Sequence, residues 1–254
     1  MLGVPMFLGT IEITQYLIVA TVAFIASVIG GVAGYGTGLL LPPVLVPIIG
    51  AEAVVPVIGL SALLTNSSRL MAFRADFDFS KFKLIALWGV PTTIAGAYGY
   101  TLLTGPMVTV LIGAVLIVLI PVRRVFAKRR QHLSDRGVTA AGIGYGLLNG
   151  GTAGSGVMLL SILLGAGLSG TAVIATDAGI SLVLGTFKSL TFFGAGALPG
   201  AMIVMALLIG LCAMPGAFLA KKLALKLTGQ AHVLILDAVV ILGGVILIWR
   251  GLAG

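Results

Sequence analysis

The sequence predicts an all-α polytopic membrane protein built as two inverted repeats, each a glycine-broken re-entrant helical hairpin plus three transmembrane helices. Three observations predict it. Of 254 residues, 59% are hydrophobic and 9% charged, whereas soluble domains are about half apolar and about a quarter charged. The apolar residues gather into long stretches, several near the ~20 residues that cross a ~30 Å hydrocarbon core. A glycine-rich motif occurs twice, beginning at residues 34 and 152, each copy ahead of a short apolar segment.

The composition excludes whole classes at once. Fifteen Lys/Arg and 7 Asp/Glu are too few to coat an aqueous surface, so a water-soluble enzyme and a disordered chain are ruled out. The net charge of +8 is not a nucleic-acid signature, because the basic residues fall in short segments between apolar stretches, as in cytoplasmic loops. Cys212 stands alone and reads as a small buried hydrophobe. The start lacks a basic region and a small-residue cleavage site, so it is expected to be retained.

In chain order the apolar stretches are 11–31, 38–49, 54–73, 84–103, 107–122, 138–148, 157–167, 171–193, 201–219 and 231–249. Stretches 38–49, 138–148 and 157–167 cover only ~17 Å each at ~1.5 Å per residue. They read as half-helices or re-entrant pieces. Basic residues mark three loops: Arg69, Arg74, Lys81 and Lys83; Arg123, Arg124, Lys128, Arg129, Arg130 and Arg136; and Lys221, Lys222 and Lys226. All three share one side if 138–167 enters and returns as a V, which the positive-inside rule favours.

The two halves have the same layout. Gly34-Tyr35-Gly36-Thr37-Gly38-Leu39-Leu40-Leu41-Pro42 parallels Thr152-Ala153-Gly154-Ser155-Gly156-Val157-Met158-Leu159-Leu160. Each is followed by a long span and two more. Three crossings per half make the second copy enter from the opposite face, as in secondary transporters with a site at the repeat interface. The halves are 1–122 and 137–254, joined by a basic cytoplasmic connector, 123–136.

A helix broken inside lipid leaves amide groups without partners, and the next half-helix aims a positive N-terminus at the membrane centre. Amide donors on that dipole suit an anion. Gly36, Gly38, Gly154 and Gly156 allow the sharp turns, and Thr37 and Ser155 place a hydroxyl where an N-cap would sit. The competing reading is that these glycines only permit close helix crossing. A P-loop is excluded, since neither copy ends in Gly-Lys-Ser/Thr.

Cations near span ends come next. Arg69 and Lys188 occupy nearly matching places in the two halves, suited to drawing in or holding an anion, or else to snorkelling to the interface. Asp177 lies nearer a span centre, where an ionisable group is costly and functional by default. It reads as a proton carrier or as the partner of a cation from the other half. Asp237 is a second such candidate, with a structural polar contact as its plainer reading, and Glu52 reads as a turn residue. Asn66 and Asn149 flank the two centres as amide donors to an oxyanion or as helix caps. His132 and His232 have no neighbours at metal-ligand spacing, so no metal and no cofactor is expected. No catalytic triad or paired carboxylates are readable, so no enzyme is expected either.

The glycine motif 34–42, with Pro47, resembles the first-repeat motif of the TauE/SafE sulfite-exporter family, and Asn149-Gly150-Gly151-Thr152-Ala153-Gly154-Ser155-Gly156 resembles its second-repeat counterpart. The resemblance covers essentially the whole chain. It implies transport of sulfite, sulfoacetate or a related organosulfonate across the cytoplasmic membrane. The family's run of three glycines is interrupted here by Thr37 and Ser155, and Asp177 stands where a small or hydroxyl residue is implied. The expectation is a multi-pass exporter in the inner or plasma membrane, working by alternating access. Its partners are a small anionic substrate and the lipid bilayer, with a homodimer left open. Alternatives are a cation or neutral-metabolite transporter, or a passive anion channel on the same scaffold.

Overall fold

The computed structural model describes residues 11–33, 37–128, 133–224 and 230–253. In chain order the helices are α1 (Ile13–Ala33), α2 (Thr37–Leu40), α3 (Pro42–Ile49), α4 (Ala51–Phe73), α5 (Phe79–Thr101), α6 (Gly105–Lys128), α7 (Asp135–Gly151), α8 (Gly156–Gly165), α9 (Gly170–Gly194), α10 (Gly200–Ala224) and α11 (Gln230–Ala253), with one 3₁₀ turn, Arg74–Asp76, before α5. Among the described residues, Ala51–Asp76, Gly105–Val122 and Gly170–Gly194 are long and apolar enough to cross a membrane.

Local chemistry sets the boundaries. Asp78 caps α5 by accepting from the Lys81 N–H at 2.9 Å, and Ser134 caps α7 by accepting from the Gly137 N–H at 3.3 Å, the ordinary N-cap arrangement. Two segments differ from the sequence expectation. Stretch 38–49 is two helices rather than one, because Pro42 and Pro43 have no N–H to continue the ladder past Leu41. Stretch 138–148 lengthens to 17 residues, about 25 Å. Its polar start is capped, and its glycine end stays helical by packing on α5.

That packing is close. A Cβ on Gly150 would strike the Thr93 carbonyl, one on Gly146 the Gly89 carbonyl, and one on Gly96 the Leu147 carbonyl. The Thr93 hydroxyl donates to the Gly146 carbonyl at 3.0 Å across the same crossing. Backbones approach this closely only over small residues.

The α7–α8 hairpin closes on itself, since the Leu133 N–H donates to the Gly165 carbonyl at 2.7 Å. Lys81, at the start of α5, pairs with Asp135, at the start of α7, at 2.6 Å. The starts of α5 and α7 and the end of α8 therefore lie together.

The main helix pairs are α5 with α7, α1 with α10, α6 with α11 and α4 with α9, followed by α4 with α10 and α5 with α9. Exchanging α1 with α7, α4 with α9, α5 with α10 and α6 with α11 returns the same set of pairs. The pairs made by the short helices follow the same exchange, since α8 touches α6, α7 and α9, and α2 and α3 touch α11, α1 and, for α3, α4; the contacts of α4 with α6 and of α7 with α9 have no counterpart of similar extent. At the centre stand α4 and α9. Large apolar side chains such as Leu87, Trp88, Leu190, Leu211 and Leu242 are exposed around the outside, as a lipid-facing surface requires. The fold is that of a multi-pass all-helical membrane protein.

Candidate functional site

At the second break, α7 ends at Gly151, Thr152 is extended, and Gly154 turns the chain in the left-handed region at φ +81° before α8 begins. Ending a helix inside a protein leaves carbonyls without amide partners. Lys188 of α9 supplies them: its Nζ donates to the Asn149 and Thr152 carbonyls at 2.7 Å each. The residue is 4% exposed, with the ammonium 6.0 Å from the centre of the Phe192 ring. Ser155 occupies the N-cap position of α8, yet its hydroxyl caps nothing there; it donates to Asn149 Oδ1 at 3.0 Å. Ser155 and Asn149 thus tie the two sides of the break together.

The two breaks touch. A Cβ on Gly38 would lie 2.6 Å from the Gly154 amide nitrogen, and one on Gly154 would strike Leu39. A side chain at either position has no room, and at Gly154 the backbone conformation also selects glycine. Gly156 has open space around its Cα. Thr37 is half-buried at the start of α2, and Gly36 lies outside the described residues. The two half-helix N-termini expected from the sequence are unequal. Helix α2 has four residues, and α3 opens on two prolines without donors, whereas α8 runs for 10 residues and carries the stronger dipole.

Across the α4–α9 crossing, Arg69 Nη2 pairs with Asp177 Oδ2 at 2.9 Å, and Arg69 Nη1 donates to Asn66 Oδ1 at 3.3 Å. The Arg69 side chain is 32% exposed and that of Asp177 is 4% exposed. Asp177 Oδ1 is buried with no hydrogen-bond partner. The fully buried Tyr145 hydroxyl, from α7, lies within interaction range of Asp177, Ser181 and Ser155. Thr176, beside Asp177, accepts from the Asp78 N–H at 3.0 Å and pins the turn before α5 to α9.

Moving 118 residues along the chain takes Gly59 to Asp177 and Leu70 to Lys188. A Cβ on Gly59 would sit 3.2 Å from Lys188 Cε, so Gly59 brings no acid to Lys188, whose ammonium instead serves the two carbonyls at the end of α7.

The site residues therefore fall into two polar groups: Asn149, Ser155 and Lys188 at the second break beside Gly38 and Gly154, and Asn66, Arg69 and Asp177 farther along the α4–α9 crossing, ~16 Å away along α9 at ~1.5 Å per residue. Asp177 takes its cation, Arg69, from α4. Asp237 is 2% exposed on α11 and is held by a polar or electrostatic contact. Glu52 lies in the first turn of α4, where the Tyr100 hydroxyl donates to the Ala51 carbonyl at 3.0 Å. Cys212 is half-buried on α10, and His132 lies outside the described residues. Sequence reasoning missed Tyr145 and Thr176. The signal for Tyr145 was a lone phenol in the glycine-rich stretch Gly142–Gly151, where no ordinary packing calls for one.

The family model for the sulfite exporter TauE/SafE matches residues 19–247. Searches of curated proteins and of solved structures found no match. The match spans most of the chain and includes both glycine breaks, α4, α9 and both polar groups: the chain belongs to the sulfite exporter TauE/SafE family, a family of membrane transporters.

Proposed function

We propose that the protein is a secondary transporter that exports sulfite, sulfoacetate or a related organosulfonate across the inner or plasma membrane by alternating access. The observation that carries this reading is the contact of Gly38 with Gly154 at a break held by Lys188, with a second cation, Arg69, on the buried Asp177 of the same helix α9. A small oxyanion at the break meets the α8 N-terminus, the hydroxyls of Thr37 and Ser155 and the amide of Asn149, and farther along its path the amide of Asn66. Gly36, Gly38, Gly154 and Gly156 give backbone access, and Asp177 carries the coupling proton. Lys188 is committed to two carbonyls, so in this reading it holds the break in shape, and Arg69 meets the anion at the other end of the α4–α9 crossing.

The halves 1–122 and 137–254 act as inverted repeats with re-entrant hairpins, joined by 123–136. The helix-pair exchange described above supports this, as does the closure of Leu133 onto Gly165. Alternating access follows from rocking one half against the other about the α4–α9 crossing.

A thermal-shift screen of the purified protein tests the anion assignment, since a ligand of the folded state raises its apparent stability. Sulfite, sulfoacetate or thiosulfate is expected to raise the midpoint well above any effect of equal chloride. No shift with any sulfur oxyanion contradicts the reading.

A further inference from the structure

We propose that Asp177 occupies Arg69 as an internal competitor of the transported anion, so that a proton on Asp177 and an anion on Arg69 bind together. This rests on the anion-transporter reading above and gives the sign of its coupling.

A guanidinium has five N–H donors in a planar fork that fits a carboxylate and a sulfur oxyanion in the same way, two oxygens at a time. In Arg69 one donor goes to Asp177 Oδ2 and another to Asn66 Oδ1, and a third of the side chain is exposed. The fork is thus anchored from within and still accessible. Its resident carboxylate is the weakly held part. Asp177 Oδ1 is buried with no partner, and a buried oxygen left unpaired is costly, more so when charged.

The surroundings of Asp177 leave Arg69 as its single counter-charge among the described residues. From α4 it meets Arg69, and the titratable group that faces it from α7 is the buried Tyr145 phenol, within electrostatic range. The turn before α5 brings the Phe77 ring, against Gly179, and the Asp78 N–H, on Thr176. The Asp78 carboxylate accepts from Lys81 N–H. Helices α5 and α8 contribute the apolar Ile85, Leu159, Ile162 and Leu163 to the core around Ile180 and Leu184.

When a proton binds the Asp177 carboxylate, the ion pair dissolves, and Arg69 is left with unpaired donors facing the accessible side. An oxyanion then restores the charge balance that the carboxylate gave up. By linkage, the anion raises the proton affinity of Asp177 as much as the proton raises anion affinity. Anion and proton therefore travel together, and a divalent oxyanion moves with one net negative charge.

Direct binding to the purified full-length protein tests this, using sulfate and methanesulfonate, whose charges are constant from roughly pH 5.5 to 8. Wild-type affinity is expected to rise as pH falls, approaching tenfold per pH unit for a single linked proton. Asp177→Asn is expected to bind with little pH dependence, at pH 8 as tightly as wild type does at the low end. Arg69→Gln loses binding at every pH. Asp177→Glu retains the pH dependence and serves if the Asn variant does not fold. Flat wild-type binding across the range, or weaker binding in Asp177→Asn, overturns the proposal while the transporter reading stands. Failure of wild type to bind either probe or sulfite at any pH overturns both.

Discussion

Lys188 and Arg69 lie toward opposite ends of the α4–α9 crossing, and their surroundings give them different work. Lys188 holds two helix-end carbonyls at 2.7 Å in a fully buried position. Replacing it with Met leaves both without a donor, and we expect a loss on the order of 2–4 kcal/mol, read as a lower melting point in detergent at every anion concentration. Arg69 is partly exposed and neutralises a buried acid. Arg69→Ala leaves that acid uncompensated and is expected to cost about 3–5 kcal/mol, with the deficit shrinking as pH falls and Asp177 takes a proton. Asp177→Asn, by contrast, removes the buried charge and leaves a guanidinium near solvent, so a stability change within about 1 kcal/mol is expected. Equal losses in the two variants would mean that the pair is not arranged as described. From sequence, the cost of an acid within a span marked Asp177. Its partner, 108 positions away, was not named, because only the packing of α4 on α9 selects Arg69 among the available cations.

At the scale of helices, the α5–α7 crossing makes the sharpest contrast. Gly150 meets the Thr93 carbonyl, whereas Gly144, on the same helix, has nothing within 4 Å. Gly150→Leu is expected to cost several kcal/mol by forcing the helices apart, while Gly144→Ala should be neutral or stabilising by up to about 1 kcal/mol. Melting temperatures of the two variants check this directly, and similar values would remove the crossing as described. The ends of most helices were readable, because lipid makes hydropathy nearly a ruler. The division of 38–49 at Leu41 was signalled by two adjacent prolines but read through. The extension of α7 to Asp135–Gly151 was hidden because a polar cap and a glycine run both look like helix ends until a neighbouring helix covers them. For the same reason, close crossing and ligand binding competed as readings of the glycines: Gly150 serves the first, while Gly38 and Gly154 bring the two breaks together.

For the whole molecule, the hairpin closure and the Lys81–Asp135 pair place several loop ends on one side. In a Cys212→Ser background, single cysteines at the exposed Ser134 and Ser169 should react with a membrane-impermeant maleimide from the same side, and one at Ala195 from the other. Reaction of the first two from opposite sides would rule out the hairpin. The two glycine motifs were legible in the sequence by their spacing of 118 residues, but the inequality of the helices that follow them, four residues in α2 against 10 in α8, was not. The four-residue α2, the acid at Asp177 and the glycine at Gly59 give one scaffold two chemically different ends. In the proposed function these ends serve a carrier for a sulfur oxyanion, and the decisive measurement is sulfite and sulfoacetate efflux from proteoliposomes as internal concentration is raised. Saturating efflux that Arg69→Gln abolishes in a folded protein is expected. Efflux that rises without saturation, or that matches protein-free vesicles for both anions, would contradict it.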